Sequence, residues 1–201
     1  LWYAVMTHLS FLLIAAGFGI LAQRAGGVQF SAMAAAHPSG MSASVAFVLL
    51  VLGFGAKAGV VPLHVWLPRA HPEAPSHVSA LMSAVMVKMG VFGIIVTTTL
   101  LLPDGPTWWA LLLLALALPS AVYGILHAAV ASDLKRLLAY STTENIGLIL
   151  AAVGLAQLTK DSAGGVASTA MAAALLLTIS HAAFKAVLFL AAGSILHATG
   201  E

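Results

Sequence analysis

The sequence is dominated by six apolar segments, each long enough to cross a lipid bilayer as a helix. A membrane-spanning helix needs about 20 predominantly apolar residues, and Gly, Pro or polar residues separate the segments from one another. The strict alternation of apolar and polar residues that is typical of a membrane β-barrel does not occur within them. The pattern therefore predicts an all-α polytopic membrane protein whose transmembrane helices cover approximately residues 1–22, 43–61, 78–102, 108–130, 137–158 and 166–196.

The composition leads to the same class of protein. Charged residues make up only 7% of the chain, and hydrophobic residues make up 61%. Soluble domains carry about 25% charged residues, so most of this surface must face lipid. The formal net charge of +2 is too small a bias to indicate a nucleic-acid partner. Because the chain has no cysteine, disulfides and thiolate metal sites are excluded, and we expect neither a metal nor a cofactor to be bound.

The chain begins at Leu1 inside an apolar segment, and no basic region or cleavage site typical of a signal peptide precedes that segment. We expect residues 1–201 to form a single transmembrane domain that is an internal part of a longer subunit.

The basic residues between the segments give a signal of orientation. Arg24 and Lys160 fall on one side of the predicted bundle, and Arg69, Lys135 and Arg136 fall on the other. Because cytoplasmic loops carry more Lys and Arg than exterior loops, we expect the second side to face the cytoplasm and the protein to lie in the cell's inner membrane. Lys135 and Arg136 are expected to reach the lipid head groups.

Titratable side chains inside the apolar segments are the candidates for function. A charge near the centre of the bilayer costs at least about 2.5–3.5 kcal/mol, so such a residue needs a partner, water or a functional reason. The sequence contains these candidates: His8, Lys57, Lys88, His127, Glu144, His181 and Lys185. Of these, His8 and His127 are interpreted as structural histidines.

Lys57 lies in a glycine-rich stretch, between Gly55 and Gly59 and shortly before Pro62. Proline lacks a backbone donor and clashes with the preceding turn, so the second helix is predicted to break between about Lys57 and Pro62. A helix that breaks at membrane depth beside an ion-handling residue is typical of transporters. The alternative is a lysine that extends from a helix end towards the membrane surface.

Lys88 lies deep inside the third segment, too far from its ends to reach water easily. Desolvation disfavours the charged form of a buried lysine, which would let Lys88 release and accept protons near neutral pH. The alternative is a static pair with a carboxylate. His181 and Lys185 are four residues apart and therefore share one helix face, although a histidine considered singly is as often a packing residue.

Glu144 is expected to lie closer to one membrane face, early in the fifth helix. It is interpreted either as a proton acceptor or as the counter-ion of Lys135 or Lys88. Proton transfer across a bundle needs titratable groups bridged by water. If the buried lysines and His181 form one relay, they must face a common interior rather than lipid.

One long run of the sequence resembles a known family. Residues 57–75 read KAGVVPLHVWLPRAHPEAP, and they are similar to the most recognisable motif of the proton-translocating subunits of complex I and of Mrp-type cation/proton antiporters. The resemblance implies that Lys57 lies in a discontinuous helix and is central to proton transfer. Lys88 is similar to the second channel lysine of the chain-M type of subunit. Residues 134–141 and 181–189 resemble two further family segments, the second of them a channel helix that carries His and Lys.

The subtype is indicated by finer features. Arg69, residues 144–147 and residues 197–200 look more like the large membrane subunit of formate hydrogenlyase and hydrogenase-4 enzymes than like most complex I members. The resemblance implies a proton-translocating membrane subunit of a redox-driven complex, either hydrogenase-4/formate hydrogenlyase-like or NADH:quinone oxidoreductase-like. Its partners would be other membrane subunits, and the redox centres would lie in those other subunits.

The relay that this function requires would consist of Lys57, Lys88, Glu144, His181 and Lys185. Two alternatives stay open from the sequence. One is a subunit of an Mrp-type cation/proton antiporter, and the other is a structural membrane anchor whose charged residues only pair with each other.

Overall fold

The computed structural model describes residues 2–199 of the chain, and those residues form helices joined by short connections, without a β-strand. In chain order the helices are α1 (Trp2–Ala25), α2 (Phe30–Ala35), α3 (Gly40–Ala58), α4 (Leu67–Glu73), α5 (Ser76–Leu101), α6 (Thr107–Ala129), α7 (Leu134–Leu158) and α8 (Val166–Thr199). Within this part of the chain, six helices are long and apolar enough to cross a membrane, namely α1, α3, α5, α6, α7 and α8. The predicted class and the predicted number of spanning helices are confirmed.

The outer surface of the bundle is apolar. Large side chains such as Phe11 (66% exposed), Leu176 (69%) and Val187 (65%) lie on it. Water would not tolerate an apolar surface of this extent on an isolated soluble protein. The exposed faces of the spanning helices are therefore lipid-facing or covered by other protein in the membrane.

The second spanning helix breaks where the sequence predicts. Helix α3 ends at Ala58, and its cap Gly59 has a positive φ of 78°, in the left-handed region that favours glycine. The free carbonyls of the last turn are satisfied locally: Gly59 N donates to Ala56 O at 3.3 Å, and Val60 N donates to Gly55 O at 3.0 Å. The chain then turns through residues 59–66 and resumes as the short helix α4.

Small residues allow the helices to approach closely. A Cβ atom at Gly124 of α6 would overlap the backbone of Glu144 on α7, and one at Gly147 of α7 would overlap the backbone of Ala121 on α6. Gly90 of α5 is placed in the same way against the last turn of α3. Helix association inside a bilayer depends on such close packing because lipid tails are as apolar as the side chains.

The connections lie at two ends of the bundle. At one end, Lys160 Nζ donates to Pro103 O at 2.9 Å and to Gly105 O at 3.0 Å, and His37 Nδ1 lies 3.3 Å from Asp104 Oδ2. These contacts join the α2–α3, α5–α6 and α7–α8 connections. The alternation of ends along the chain is the arrangement expected of a multi-pass membrane protein.

The opposite end corrects one prediction. Lys135 is buried, only 9% exposed, and its Nζ donates to Ala74 O at 2.8 Å instead of reaching the head groups. The reason is the start of α7: Asp133 caps the helix by accepting a hydrogen bond from Arg136 N at 2.6 Å. This start turns Lys135 towards the α4–α5 connection, whereas Arg136 stays exposed.

Candidate functional site

Three candidate residues meet in the interior of the bundle. Lys88 of α5 is 8% exposed, and His181 and Lys185 of α8 are fully buried. Lys88 Nζ lies 2.6 Å from His181 Nδ1. Because His181 and Lys185 are one helical turn apart, both face the same interior. We call these three residues the Lys–His cluster.

The contact between Lys88 and His181 is one that can exchange a proton. A charged lysine ammonium has only donors, so His181 Nδ1 accepts while Lys88 is charged. If Lys88 loses its proton, the same two atoms bond with the imidazole as donor. The heavy atoms need not move between these two states, because only the proton moves from Lys88 Nζ to His181 Nδ1.

Backbone carbonyls hold the other side of each ammonium group. Lys88 Nζ donates to Ser83 O at 2.6 Å, and Lys185 Nζ donates to Leu138 O at 2.9 Å. Ser83 lies in a π-helical segment, Met82–Met86, in which the backbone bonds reach five residues back. Such segments are rare and often occur at functional sites, where they shift backbone groups out of the regular helical pattern.

No carboxylate of residues 2–199 forms an ion pair with the cluster, although Glu144 is near enough to attract Lys185 electrostatically. The ion pair found there is His37–Asp104, which is exposed at one end of the bundle. No carboxylate of this part lies within 4 Å of Lys88 Nζ or Lys185 Nζ, so the static ion pair considered for Lys88 is not formed there. Two buried ammonium groups without carboxylates are costly in a low-dielectric interior, which favours a site where protons are shared or released.

Glu144 lies on α7 but bonds to its own neighbours. It is half-buried, and its Oε2 accepts from Asn145 Nδ2 at 3.0 Å and from Ser141 Oγ at 3.4 Å. It is not paired with Lys135 or Lys88. Helix α7 begins at Leu134 and has 25 residues, so Glu144 lies near the middle of the helix and further from its start than the sequence suggested.

Lys57 occupies a different place. It is half-buried in the last turn of α3, and its side-chain Nζ has no hydrogen-bond partner within the described residues. Its side chain borders a cavity of about 40 Å³. The other lining residues are Tyr3, Met6, Thr7, Ser10, Ala56, Trp66 and Met86. Such a cavity is large enough for a water molecule, but Lys57 does not contact the Lys–His cluster directly.

The comparison with family profiles decides what kind of protein this is. The profile described as "NADH:quinone oxidoreductase/Mrp antiporter, TM" matches residues 1–201, the whole chain. This chain belongs to that antiporter family.

Related sequences agree with the assignment. An uncharacterised protein of Mycobacterium tuberculosis is 58% identical over 201 residues, which is 100% of this chain and 31% of the relative. Hydrogenase-4 component B of Escherichia coli is 45% identical over 197 residues (96% of this chain, 29% of the relative). Formate hydrogenlyase subunit 3 of Escherichia coli is 39% identical over 211 residues (100% and 33%). The chain thus spans about a third of the length of these relatives, and the resemblance to hydrogenase-4 and formate hydrogenlyase subunits is confirmed.

Solved structures share the fold. A chain of the Mrp complex from Dietzia sp. superimposes with a TM-score of 0.83 at 26% identity, covering 96% of this chain and 34% of that one. A chain of respiratory complex I from Thermus thermophilus with bound NADH gives 0.81 at 29% identity, covering 98% and 40%. The arrangement of helices around the Lys–His cluster is therefore that of this antiporter family.

Two of the candidate histidines in this antiporter-family chain bond only to their own helices, although the ring of His127 also packs 5.1 Å from that of Tyr140 on α7. His8 is exposed, and its Nδ1 lies 2.7 Å from Ala4 O. His127 Nδ1 lies 3.0 Å from Tyr123 O, and its ring stacks on Tyr123 with centroids 3.8 Å apart. Both sets of contacts fit the structural interpretation of these residues.

His71 belongs near the cluster although the sequence assigned it no role there. It is fully buried in α4, and its ring stacks on Phe189, one turn beyond Lys185, with centroids 4.5 Å apart. Neither ring nitrogen has a hydrogen-bond partner in the described residues. Burial, followed by the charges of Lys185, Lys135 and Lys88, lowers the pKa of His71 to about 3, so the ring is neutral.

The sequence also did not indicate that two hydroxyl groups belong to the site. Ser83 of α5 and Thr142 of α7 are fully buried, and their oxygen atoms lie 2.9 Å apart beside the Lys–His cluster. Hydroxyl residues are common in transmembrane helices, so the sequence offered no signal that singled these two out. Their position depends on how the antiporter-family helices pack.

Proposed function

We propose that this chain is part of a proton-translocating membrane subunit of a redox-driven complex, of the hydrogenase-4/formate hydrogenlyase kind or the NADH:quinone oxidoreductase kind. Protons pass through a relay formed by Lys57, Lys88, Glu144, His181 and Lys185. The subunit sits in the cytoplasmic (inner) membrane among other membrane subunits of the complex. Redox chemistry takes place in those partners and not in this chain.

The observation that carries the proposal is the 2.6 Å contact between Lys88 and His181, deep in the bundle and one turn from Lys185. A structural anchor would pair its buried cations with carboxylates, because an uncompensated buried charge is strongly destabilising. In residues 2–199 Lys88 instead contacts the titratable nitrogen of His181, and Lys185 is held on the carbonyl of Leu138. A row of such groups is what stepwise proton transfer needs.

The relatives support the choice of partners. Two of them are named as parts of enzymes, hydrogenase-4 and formate hydrogenlyase. Both superimposed chains come from multisubunit complexes. A chain with the same fold and the same family membership is expected to work in a similar assembly.

The test is the substitution of one lysine in the full-length subunit within its complex. We expect Lys88→Ala to lower proton pumping by about a hundredfold, the scale of removing a positioned proton-transfer group. Electron transfer is measured separately, so that a failure of assembly is distinguished from a failure of pumping. Lys160→Ala is the matched control, because Lys160 is exposed and bonds only loop carbonyls. Pumping by Lys88→Ala at the level of Lys160→Ala would exclude the relay.

A second candidate function is a subunit of an Mrp-type cation/proton antiporter, which the superposition on the Mrp complex favours. The two functions differ in their driving force. An antiporter exchanges Na⁺ for protons across vesicles without an electron donor, whereas a redox-driven pump is silent until the donor is added. Exchange without a donor that is lost in Lys88→Ala would assign the antiporter function.

A further inference from the structure

The hydroxyl groups of Ser83 and Thr142 form a directed hydrogen bond between two helices. Their oxygen atoms are 2.9 Å apart, and Thr142 Oγ1 also donates to Leu138 O at 2.9 Å. A hydroxyl has a single proton to donate. Since the Thr142 proton is used on Leu138 O, Ser83 must be the donor to Thr142.

Each end of this bridge meets one of the two buried lysines. Lys88 Nζ donates to Ser83 O, on the residue whose hydroxyl starts the bridge. Lys185 Nζ donates to Leu138 O, the same carbonyl that accepts from Thr142. The five residues therefore connect α5, α7 and α8 in one hydrogen-bonded path.

The bridge is not the default arrangement for buried hydroxyls. Thr97 and Thr98, also on α5, donate to carbonyls of their own helix, Gly93 O at 2.7 Å and Ile94 O at 3.0 Å. Such bonds to the preceding turn are the usual way in which a helical hydroxyl is satisfied. Ser83 Oγ instead bonds Thr142 across the interface with α7. Since Thr97 and Thr98 also lie in a π-helical segment, Thr97–Leu101, π-helical geometry alone does not explain this crossing.

We propose that Ser83 and Thr142 are positioning residues that hold the Lys88 and Lys185 side chains on separate carbonyls, so that protons pass between them by way of His181. This inference rests on the proposed relay. Two ammonium groups in a low-dielectric interior repel each other strongly. The bridge fixes the spacing of α5 and α7 and, with it, the places where the two lysines are held.

The titratable groups around the bridge come from four helices. They are Lys88 on α5, His181 and Lys185 on α8, Lys135 and Glu144 on α7, and His71 on α4. A change at the bridge therefore acts on the proton affinity of a coupled group of sites. The pH dependence of pumping is the readout that a purely structural role would not move.

The experiment is Thr142→Val in the full-length subunit within its complex, with proton pumping measured against pH. We expect the profile to be displaced by roughly half to one pH unit, the effect of losing one hydrogen bond in a charged network. Thr142→Ser keeps the hydroxyl and should restore the parental profile. Ser83→Ala should displace the profile as Thr142→Val does, and the double variant should add nothing further, because both remove the same bond.

Thr143→Val is the matched control. The Thr143 hydroxyl is also buried, but it has no hydrogen-bond partner in the described residues. Its loss should leave the profile unchanged, and a displacement equal to that of Thr142→Val would overturn the inference. An unchanged profile in Thr142→Val would overturn it too.

The inference and the proposed function fail in different ways. If Lys88→Ala does not pump while Thr142→Val pumps with the parental profile, the positioning role alone is wrong. If Lys88→Ala pumps normally, the relay is wrong, and the positioning role is wrong with it. A Thr142→Val subunit that assembles but is silent at every pH supports the inference only if Thr142→Ser pumps with the parental profile, and otherwise overturns it.

Discussion

Lys57 and the Lys–His cluster show two ways in which a membrane protein tolerates lysine. Lys57 is half-buried at a helix break, and beside it lies a cavity the size of a water molecule. Lys88 and Lys185 lie inside helices that continue past them, and backbone carbonyls and His181 satisfy them. Lys57 thus borders a small cavity without a hydrogen-bond partner for its side chain, whereas protein groups hold Lys88 and Lys185, although Lys88 also borders a mainly apolar cavity of about 720 Å³.

The difference suggests a division of labour in the proposed relay. A group that exchanges protons with water needs a gap in the packing, and the break after Ala58 supplies it. Groups that pass protons to each other need fixed distances, and close packing supplies these. The two regions should therefore respond differently to substitution.

The largest effect is expected at Lys185. Lys185→Met keeps the length of the side chain and removes its charge, so pumping should fall by about a hundredfold. The thermal stability of the subunit should hold or rise, because a buried cation that forms no ion pair with a carboxylate costs free energy. Pumping and thermal unfolding of the purified complex measure the two effects. A lowered melting temperature of Lys185→Met would show that the loss of pumping comes from unfolding. It would also contradict the view that the buried charge costs stability.

Proton pumping should depend on the ability of the side chain at position 57 to release a proton, and not only on its positive charge. Lys57→Arg keeps the positive charge, but arginine stays protonated and cannot relay a proton. We expect pumping to stay about tenfold or more below that of the parent, close to the level of Lys57→Ala. Equal pumping by the Arg variant and the parent would show that Lys57 supplies only a charge.

The contrast between the two regions also marks what the sequence can reveal. The spans and the break follow from local composition, since apolar runs, Gly59 and Pro62 act over short distances. The placement of His181 and Lys185 on one helix face follows from helical periodicity. The contact of Lys88 with His181 joins residues 93 positions apart, and such contacts depend on helix packing that hydropathy does not encode.

The sequence did not predict the π-helical segment or the burial of Lys135, because local composition encodes neither of them. The π-helical segment around Ser83 changes which carbonyls are free, yet its sequence is as apolar and regular as that of an α-helix. Lys135 was expected at the head groups because its position in the chain is at a helix start. Its partner, Ala74 O, comes from a connection 61 residues earlier, and only the folded chain brings the two together.

A smaller effect is expected from the packing that joins the two regions. Gly90 lies two residues after Lys88 on α5 and touches the last turn of α3, where Lys57 is located. A Cβ at Gly90 would meet Phe54 O and Ala58 N. Gly90→Ala should destabilise the subunit by about 1–3 kcal/mol, the cost of overpacking. Gly19→Ala is the control, because a Cβ at Gly19 meets nothing within 4 Å. Thermal unfolding of both variants measures the two changes in stability. Equal stability of Gly90→Ala and Gly19→Ala would contradict the close packing of Gly90 against α3.

The smallest effect is expected at Ser10, which ties α1 to the helix of Lys57. Ser10 is buried, and its hydroxyl donates to Gly53 O at 2.8 Å, one turn before Lys57. Ser10→Ala should cost about 0.5–1.5 kcal/mol of stability, towards the lower figure because Gly53 O keeps its backbone donor within α3. The close contact of Gly53 with Ile14 still holds the two helices together. Pumping should therefore stay near the parental level, as in the control Ser194→Ala, where an exposed hydroxyl bonds its own helix.

A large loss of pumping in Ser10→Ala would change the comparison between the two regions. Ser10 lines the cavity beside Lys57, and a hydroxyl there can bind the same water that Lys57 would use. If Ser10→Ala lost pumping as Lys57→Ala does, while its thermal stability stayed close to the parent's, the hydroxyl would have to act in proton transfer. The Lys57 region would then depend on a fixed set of protein groups, as the Lys–His cluster does, and not on access to water alone.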